Sequence, residues 1–170
     1  MAAVRIAPVK PLSKSDVLEA IRAAIAREIA VLDLSAASAR EGATHEQAKP
    51  ENDKDTRALE ASYLAGAQAG RARDLAATAK RIEFLELRDF GKGDPIAPSA
   101  LVELDVDGVR SVFFLADVGG GRKVEVGGVE VQVVTAEAPL GQALLGKKQG
   151  DTFEMRVKKD VREYEIVGVR

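Results

Sequence analysis

The sequence has 170 residues, 46% hydrophobic and only 4% aromatic, which suits one medium domain or two small ones with a core built partly from close-packed helices. The absence of cysteine excludes disulfide frameworks and thiolate zinc sites, and the net charge of -2 gives no bulk attraction to nucleic acid or to anionic membranes. No apolar run approaches the roughly 20 residues that span a bilayer, and the start lacks a secretory signal, so we expect a cytoplasmic protein.

The first helical pattern follows a short arm. Residues 1–12 contain two prolines and no periodicity, which predicts a flexible arm. Ser13 is a typical N-cap, and Asp16 stands three residues later in the capping-box position. Apolar residues then recur at helical spacing over residues 14–40, and Gly42 is a plausible end. The pattern therefore predicts a long amphipathic helix.

A second helical pattern runs over residues 56–88 and contains Gly66 and Gly70. Glycine inside a helix costs on the order of 1 kcal/mol relative to alanine. The two glycines therefore favour a close approach of two helices where no side chain would fit, and a bent or frayed helix is the alternative. Together the patterns predict an antiparallel coiled-coil hairpin over residues 13–88, with its tip at 44–56.

The predicted tip carries a cluster of carboxylates around Pro50, which cannot sit comfortably inside a helix. The acidic residues are Glu46, Glu51, Asp53 and Asp55. Like charges at the end of a rigid element stabilise a fold poorly, whereas their oxygens are the hard ligands that Mg²⁺ prefers. The sequence therefore favours a tip that meets a metal ion. A solvated loop that merely closes the hairpin is the alternative.

The character of the sequence changes after the second helical pattern. Residues 89–99 contain two glycines and two prolines without periodicity, which predicts a linker. Beyond it, hydrophobic and polar residues alternate between turn signals, and a short helix opens on Pro139 and closes at Gly146. The predicted strands are Leu101–Val106, 109–115, Val129–Thr135, 152–157 and 162–169. Residues 100–170 are therefore expected to form an antiparallel sheet with one short helix over it, and the fold class is α+β.

Two segments near the end of the sequence resemble the bacterial Gre family of transcription elongation factors. Residues 138–151, A-P-L-G-Q-A-L-L-G-K-K-Q-G-D, follow the family pattern except that Ala138 replaces a serine, and residues 161–170 contain E-Y-E-I. The resemblance implies a coiled coil followed by an FKBP-like β domain, in the order that periodicity predicts. It also implies RNA polymerase as the partner. The β domain would hold the rim of the secondary channel, with Ala138, Pro139 and Leu140 in the docking element.

The resemblance further implies that the tip delivers carboxylates to the catalytic Mg²⁺ of the polymerase, near the RNA 3′ end, where a backtracked transcript is cut. Two alignments of the tip differ, but both match Glu51 to an essential acid, and Asp53 or Asp55 is available as its partner. The factor would then be an accessory monomer with no cofactor of its own rather than an enzyme. The alignments place Ala48 or Lys54 at the other acid, which favours the alternative of a channel-binding regulator or inhibitor without cleavage activity.

An FKBP-like fold also admits a different class of function, a prolyl isomerase or chaperone module. Few aromatic residues are available to line a proline pocket: Phe113, Phe114, Phe153 and Tyr164. Lysines also lie near predicted turns of the β domain: Lys147, Lys148, Lys158 and Lys159. These lysines are either ordinary solvated turn residues or cations that face an acidic polymerase surface.

Overall fold

The computed structural model describes residues 12–44 and 57–170. The predicted tip residues Glu51, Asp53 and Asp55 and most of the predicted arm lie outside this described part. The described helices and strands are α1 (Lys14–Thr44), α2 (Arg57–Glu83), β1 (Leu101–Val106), β2 (Val109–Ala116), β3 (Lys123–Val126), β4 (Val129–Thr135), α3 (Pro139–Leu144), β5 (Thr152–Val157) and β6 (Asp160–Val169). The predicted α+β class, a helical hairpin followed by a mainly antiparallel β domain with one short helix, is confirmed.

The chain divides into two compact units. One is helical and contains residues Arg22–Lys80. The other contains Arg81–Arg170 together with the described residues up to Ile21, so the first turns of α1 and the last residues of α2 belong with the sheet.

In the helical unit, small and branched apolar side chains are buried where α1 and α2 pair. The buried residues are Ile25, Ala36, Ala65, Ala72 and Leu75. An ion pair links the two helices, since Arg71 Nη2 lies 3.4 Å from Glu28 Oε1. The Arg71 side chain is largely exposed, so this pair adds little stability. Apolar burial along the seam therefore supplies most of the stabilisation of this unit.

The expectation that Gly66 and Gly70 allow a close helix approach is wrong. A Cβ atom built at either position meets no atom within 4 Å beyond the local helix backbone and chain neighbours. The helix α2 runs without interruption through both positions. Packing of α1 on α2 therefore does not require glycine at either site.

The helix α2 ends at Glu83, whereas its apolar pattern predicts an end near Arg88. Both backbone groups of Arg88 have partners outside the helix, which explains the difference. Its N–H donates to Ser99 Oγ at 3.0 Å, and its carbonyl accepts from Lys14 Nζ. Burial lowers the pKa of Lys14, and the nearby charge of Asp89 opposes that shift. These tertiary contacts hold the chain in an extended path beyond Glu83.

The sheet has six strands in the order β3-β4-β2-β1-β6-β5. All neighbouring pairs are antiparallel except β2 and β4, which run parallel from Val112 opposite Val131 to Ala116 opposite Thr135. The sequence predicts an antiparallel sheet and no strand at Lys123–Val126. Strand β4 lies between β3 and β2. It runs antiparallel to β3 and therefore in the same direction as β2.

The core of the β domain includes part of the segment predicted as a linker. Residues 89–99 contain no helix or strand, yet Phe90 and Ile96 are buried among the sheet residues and Leu144 of α3. The Ile96 N–H donates to the Lys147 carbonyl at 2.8 Å, and the Ile96 carbonyl accepts from the Gly146 N–H at 2.9 Å. This segment therefore holds the C-terminal end of α3 in place.

Candidate docking site

The three residues of the predicted docking element lie at the start of α3. Pro139 is exposed at the first helical position, where its missing N–H costs nothing, and Ala138 and Leu140 are half-buried. Ala138 is the N-cap in an extended conformation, with φ -69 and ψ 149, and no side chain caps the helix. Its N–H donates to the Thr135 carbonyl at 3.0 Å, and its own carbonyl accepts from Gln142 N–H at 2.9 Å. These backbone hydrogen bonds, together with a contact from the Gln142 side-chain amide to the Glu137 carbonyl at 3.4 Å and the packing of Ala138 and Leu140 on the core, hold the start of this helix.

Gly141 fixes how closely α3 approaches the end of β4. A Cβ atom at this position would overlap the Thr135 carbonyl oxygen and lie 2.8 Å from its carbonyl carbon. Because both atoms belong to the backbone, they cannot move aside as a flexible side chain would. Glycine at this position thus allows α3 to rest on β4 and sets the position of Pro139 and Leu140 over the sheet.

A groove opens beside these residues, between the end of β4, the start of α3 and the β5–β6 hairpin. Its volume is about 670 Å³. Apolar side chains dominate its wall, and Val134, Leu140, Met155 and Val157 are all buried or half-buried. We call this the docking groove. The structure therefore brings Ala138, Pro139 and Leu140 together with residues of β4 and β5 that lie elsewhere in the sequence.

Arg156 and Lys158 stand at the β5–β6 end of the docking groove. Sequence reasoning did not select Met155, Arg156 or Val157 as site residues. The alternation of T-F-E-M-R-V predicts which side chains share a face of β5. It does not show that this edge strand lies opposite α3, because that depends on β6 pairing between β5 and β1.

A second cavity of about 390 Å³ lies at the opposite end of β2 and β4. Its charged residues are paired with one another or with neighbouring strands. Arg110 lies 3.2 Å from Glu103 and 3.8 Å from Asp105, and Lys123 lies 2.8 Å from Glu130. These charges satisfy each other, so this cavity offers a ligand little electrostatic attraction.

No group of three or more histidine, aspartate or glutamate side chains that could hold a metal ion occurs in residues 12–44 and 57–170. Glu51, Asp53 and Asp55 lie between these two ranges, and their role at Mg²⁺ stays a prediction from the sequence. Within the same ranges, no helix combines the length and the apolar character needed to cross a membrane.

The end of the chain matches the family model described as "Transcription elongation factor, GreA/GreB, C-term" over residues 124–170. The match contains all of β4, α3, β5 and β6, which are the elements that form the docking groove. The family match therefore includes every lining residue of the groove except Gly120 and Gly121.

The chain is also similar to curated proteins named "Transcription elongation factor GreA". It is 30% identical over 94 residues to that of Clostridium kluyveri, covering 51% of this chain and 59% of the relative. It is 32% identical over 93 residues to that of Clostridium botulinum, covering 51% and 58%. The chain thus spans less than two thirds of the length of these relatives.

Solved structures are similar over a longer stretch but at low identity. The GreA factor homolog 1 of Thermus thermophilus shares 19% identity over 90% of this chain and 94% of that chain, with a TM-score of 0.36. A GreA/GreB factor of Nitrosomonas europaea shares 24% identity over 58% and 78%, with a TM-score of 0.37. The family model and the curated relatives confirm the resemblance to the Gre family seen in the sequence, and the family model matches residues 124–170 of the β domain.

Proposed function

We propose that this chain is a transcription elongation factor that binds RNA polymerase at the rim of the secondary channel and stimulates cleavage of backtracked transcripts. The observation that carries the proposal is the match over residues 124–170, because it encloses the elements that form the docking groove. With RNA polymerase as its partner, the protein in this proposal acts in the cytoplasm and near the RNA 3′ end.

The composition of the docking groove supports a protein ligand. Protein interfaces combine an apolar centre with a polar rim. The groove has this arrangement, with Leu140, Met155 and Val157 half-buried and Arg156 and Lys158 exposed at one end. No aromatic residue lines it, which gives little support to the alternative of a prolyl isomerase. An isomerase assay on the purified protein tests that alternative directly.

The cleavage role rests on the sequence of the predicted tip. In this proposal Glu51, helped by Asp53 or Asp55, supplies carboxylate oxygens to the Mg²⁺ of the polymerase, which itself cuts the transcript. Carboxylate oxygens suit this ion. The factor requires no cofactor and no nuclease centre of its own. If the tip does not act in this way, the chain is a channel-binding regulator that occupies the same site.

Transcript cleavage in stalled, backtracked complexes tests the proposal, with wild type beside Glu51→Ala, Asp53→Ala and Asp55→Ala. Loss of a carboxylate that acts only during cleavage lowers the rate with little change in affinity. We therefore expect Glu51→Ala to abolish stimulation while polymerase binding persists. Asp33→Ala is the matched control, because Asp33 is an exposed carboxylate on α1 away from the tip segment. Binding by the wild type without any stimulation would assign the chain to the regulator class.

Leu140→Glu tests the docking half of the proposal, because it places a charge on the apolar wall of the groove. We expect polymerase binding to fall sharply; because Leu140 also packs against the core of the β domain, the denaturation midpoint of the variant is measured beside its affinity to separate a lost contact from lost stability. Val161→Glu is its control, since Val161 is an apolar β6 residue that is 55% exposed and does not line the groove. Unchanged binding in Leu140→Glu would place the contact elsewhere.

A further inference from the structure

We infer that Arg156 and Lys158 form a charge-recognition site at the end of the docking groove, which binds an acidic segment of the protein that occupies the groove. The inference rests on the proposed function, in which that protein is RNA polymerase. It adds Arg156 to the predicted docking residues Ala138, Pro139 and Leu140, none of which carries charge, and it selects Lys158 from the four turn lysines that the sequence offers.

The charge distribution of the groove is the first observation. Arg156 and Lys158 are the charged residues of its lining, and the lining contains no aspartate or glutamate. Within the described part of the chain, neither side chain has an ion-pair or hydrogen-bond partner. Arg110 and Lys123 of the second cavity, in contrast, are both ion-paired. The groove therefore presents uncompensated positive charge beside an apolar wall, which complements an apolar segment flanked by carboxylates.

The backbone at Lys158 is the second, independent observation. Val157 pairs with Asp160, so Lys158 and Lys159 form a two-residue hairpin turn. Lys158 has φ 59, in the left-handed region that such turns usually fill with glycine, asparagine or aspartate. The backbone of a residue whose side chain is neither small nor able to bond its own backbone is strained there, and strained residues of this kind cluster at functional sites.

In the described part of the chain, the other two non-glycine residues with positive φ have local explanations, which sets Lys158 apart. Asp107 precedes Gly108 in a tight turn, a position that aspartate tolerates. Ser99 is fully buried, and its hydroxyl accepts the Arg88 N–H at 3.0 Å. The exposed Lys158 side chain makes no such bond, so the turn itself gives no reason for a lysine there.

The apolar, non-aromatic wall of the docking groove beside these cations favours a protein segment over a nucleic acid as the ligand. Single-stranded nucleic acids are held by aromatic side chains on which bases stack, together with a basic groove. The docking groove has no aromatic lining, and the chain has a net charge of -2. The planar guanidinium of Arg156 also suits a bidentate contact with a carboxylate.

Lys158→Gly separates this role from a structural one, because glycine fits the positive φ while the charge is lost. We expect its denaturation midpoint to equal or exceed that of the wild type, while affinity for polymerase core at low salt falls about fivefold or more. Arg156→Gln should weaken binding similarly, and Lys158→Arg, which keeps the charge, should bind like the wild type. Lys123→Gln removes a paired charge outside the groove and should leave affinity unchanged.

The outcomes separate the inference from the proposed function. Loss of affinity in Lys158→Gly and Arg156→Gln, without loss of stability in the former, supports the inference. Wild-type affinity in Lys158→Gly overturns it and leaves the proposed function standing. No binding by the wild-type protein at low salt overturns both. Binding of the free protein to single-stranded RNA or duplex DNA that is weakened by the same two substitutions would assign the cations to nucleic acid instead and overturn the inference.

Discussion

Gly141 of α3 rests directly on the backbone carbonyl of Thr135 at the end of β4, with no room for a Cβ atom between them. This contact determines where the docking element begins, because Ala138, Pro139 and Leu140 lie between the two residues in the sequence. The position of the element therefore depends on a residue that contributes no side chain to the groove.

Gly141→Ala should consequently be strongly destabilising. The new methyl group would overlap backbone atoms of Thr135, so α3 must move off β4. We expect a loss of at least about 2 kcal/mol in the free energy of unfolding, at the upper end of overpacking effects. Denaturant unfolding measures it, and Gly66→Ala serves as a control for the same chemical change in open space. A stability equal to that of the wild type would show that α3 can shift without cost.

Ala138→Ser should stabilise the protein. Ala138 occupies the N-cap with an extended backbone, and no side chain now accepts the free N–H groups of the first turn. A serine hydroxyl can accept one of them, and replacing an N-cap alanine by serine is worth about 1 kcal/mol. The increase should appear as a higher denaturation midpoint with an unchanged slope. A decrease would indicate that the packing of Ala138 on the core outweighs the cap.

Gly66→Ala and Gly70→Ala should each stabilise the helical unit by about 1 kcal/mol, because alanine has the higher helix propensity and the added methyl meets open space. Thermal unfolding followed by circular dichroism at 222 nm is the measurement. Gly120→Ala is the contrasting variant, since a Cβ there would lie 3.0 Å from a side-chain carbon of Thr135. A lower midpoint for Gly66→Ala or Gly70→Ala would mean that the helices approach each other more closely in solution.

Ser99→Ala should cost about 1–2 kcal/mol, because the Arg88 N–H loses its hydroxyl acceptor. Ser99→Gly should cost less. It loses the same hydrogen bond but relieves the strain of φ 74, which is worth on the order of 1 kcal/mol. Denaturant unfolding of both variants gives this ranking, with the exposed Ser111→Ala as a control. An equal loss in both would attribute the whole effect to the hydrogen bond.

Local sequence patterns predict the strands of the β domain well where the limits of a strand follow from its own residues. The alternation of apolar and polar residues places β1, β4 and β5 at their observed limits, and Asp107-Gly108 identifies the turn between β1 and β2. The parallel pairing of β2 with β4 is not predictable in this way. It depends on the short strand β3, whose few residues give a weak pattern.

Tertiary contacts explain the other differences. The pattern of α2 continues past Glu83, but Ser99 and Lys14 bind the backbone of Arg88 and end the helix early. Residues 89–99 contain the glycines and prolines of a linker, yet Ile96 forms two backbone hydrogen bonds with the end of α3. The docking element is recognisable from its sequence. The opposite wall of its groove is not, because it comes from an edge strand.

The place of β6 in the sheet has a consequence for folding during synthesis. Residues 160–169 form an interior strand between β1 and β5, and Val169 lies opposite Val102. While the ribosome is still making residues 100–159, β1 has an open edge and β5 has no partner, so the docking groove lacks one wall. Such sequence-distant pairing slows folding and leaves strand edges exposed to other chains. The β domain can therefore acquire its partner-binding surface only after β6 has left the exit tunnel.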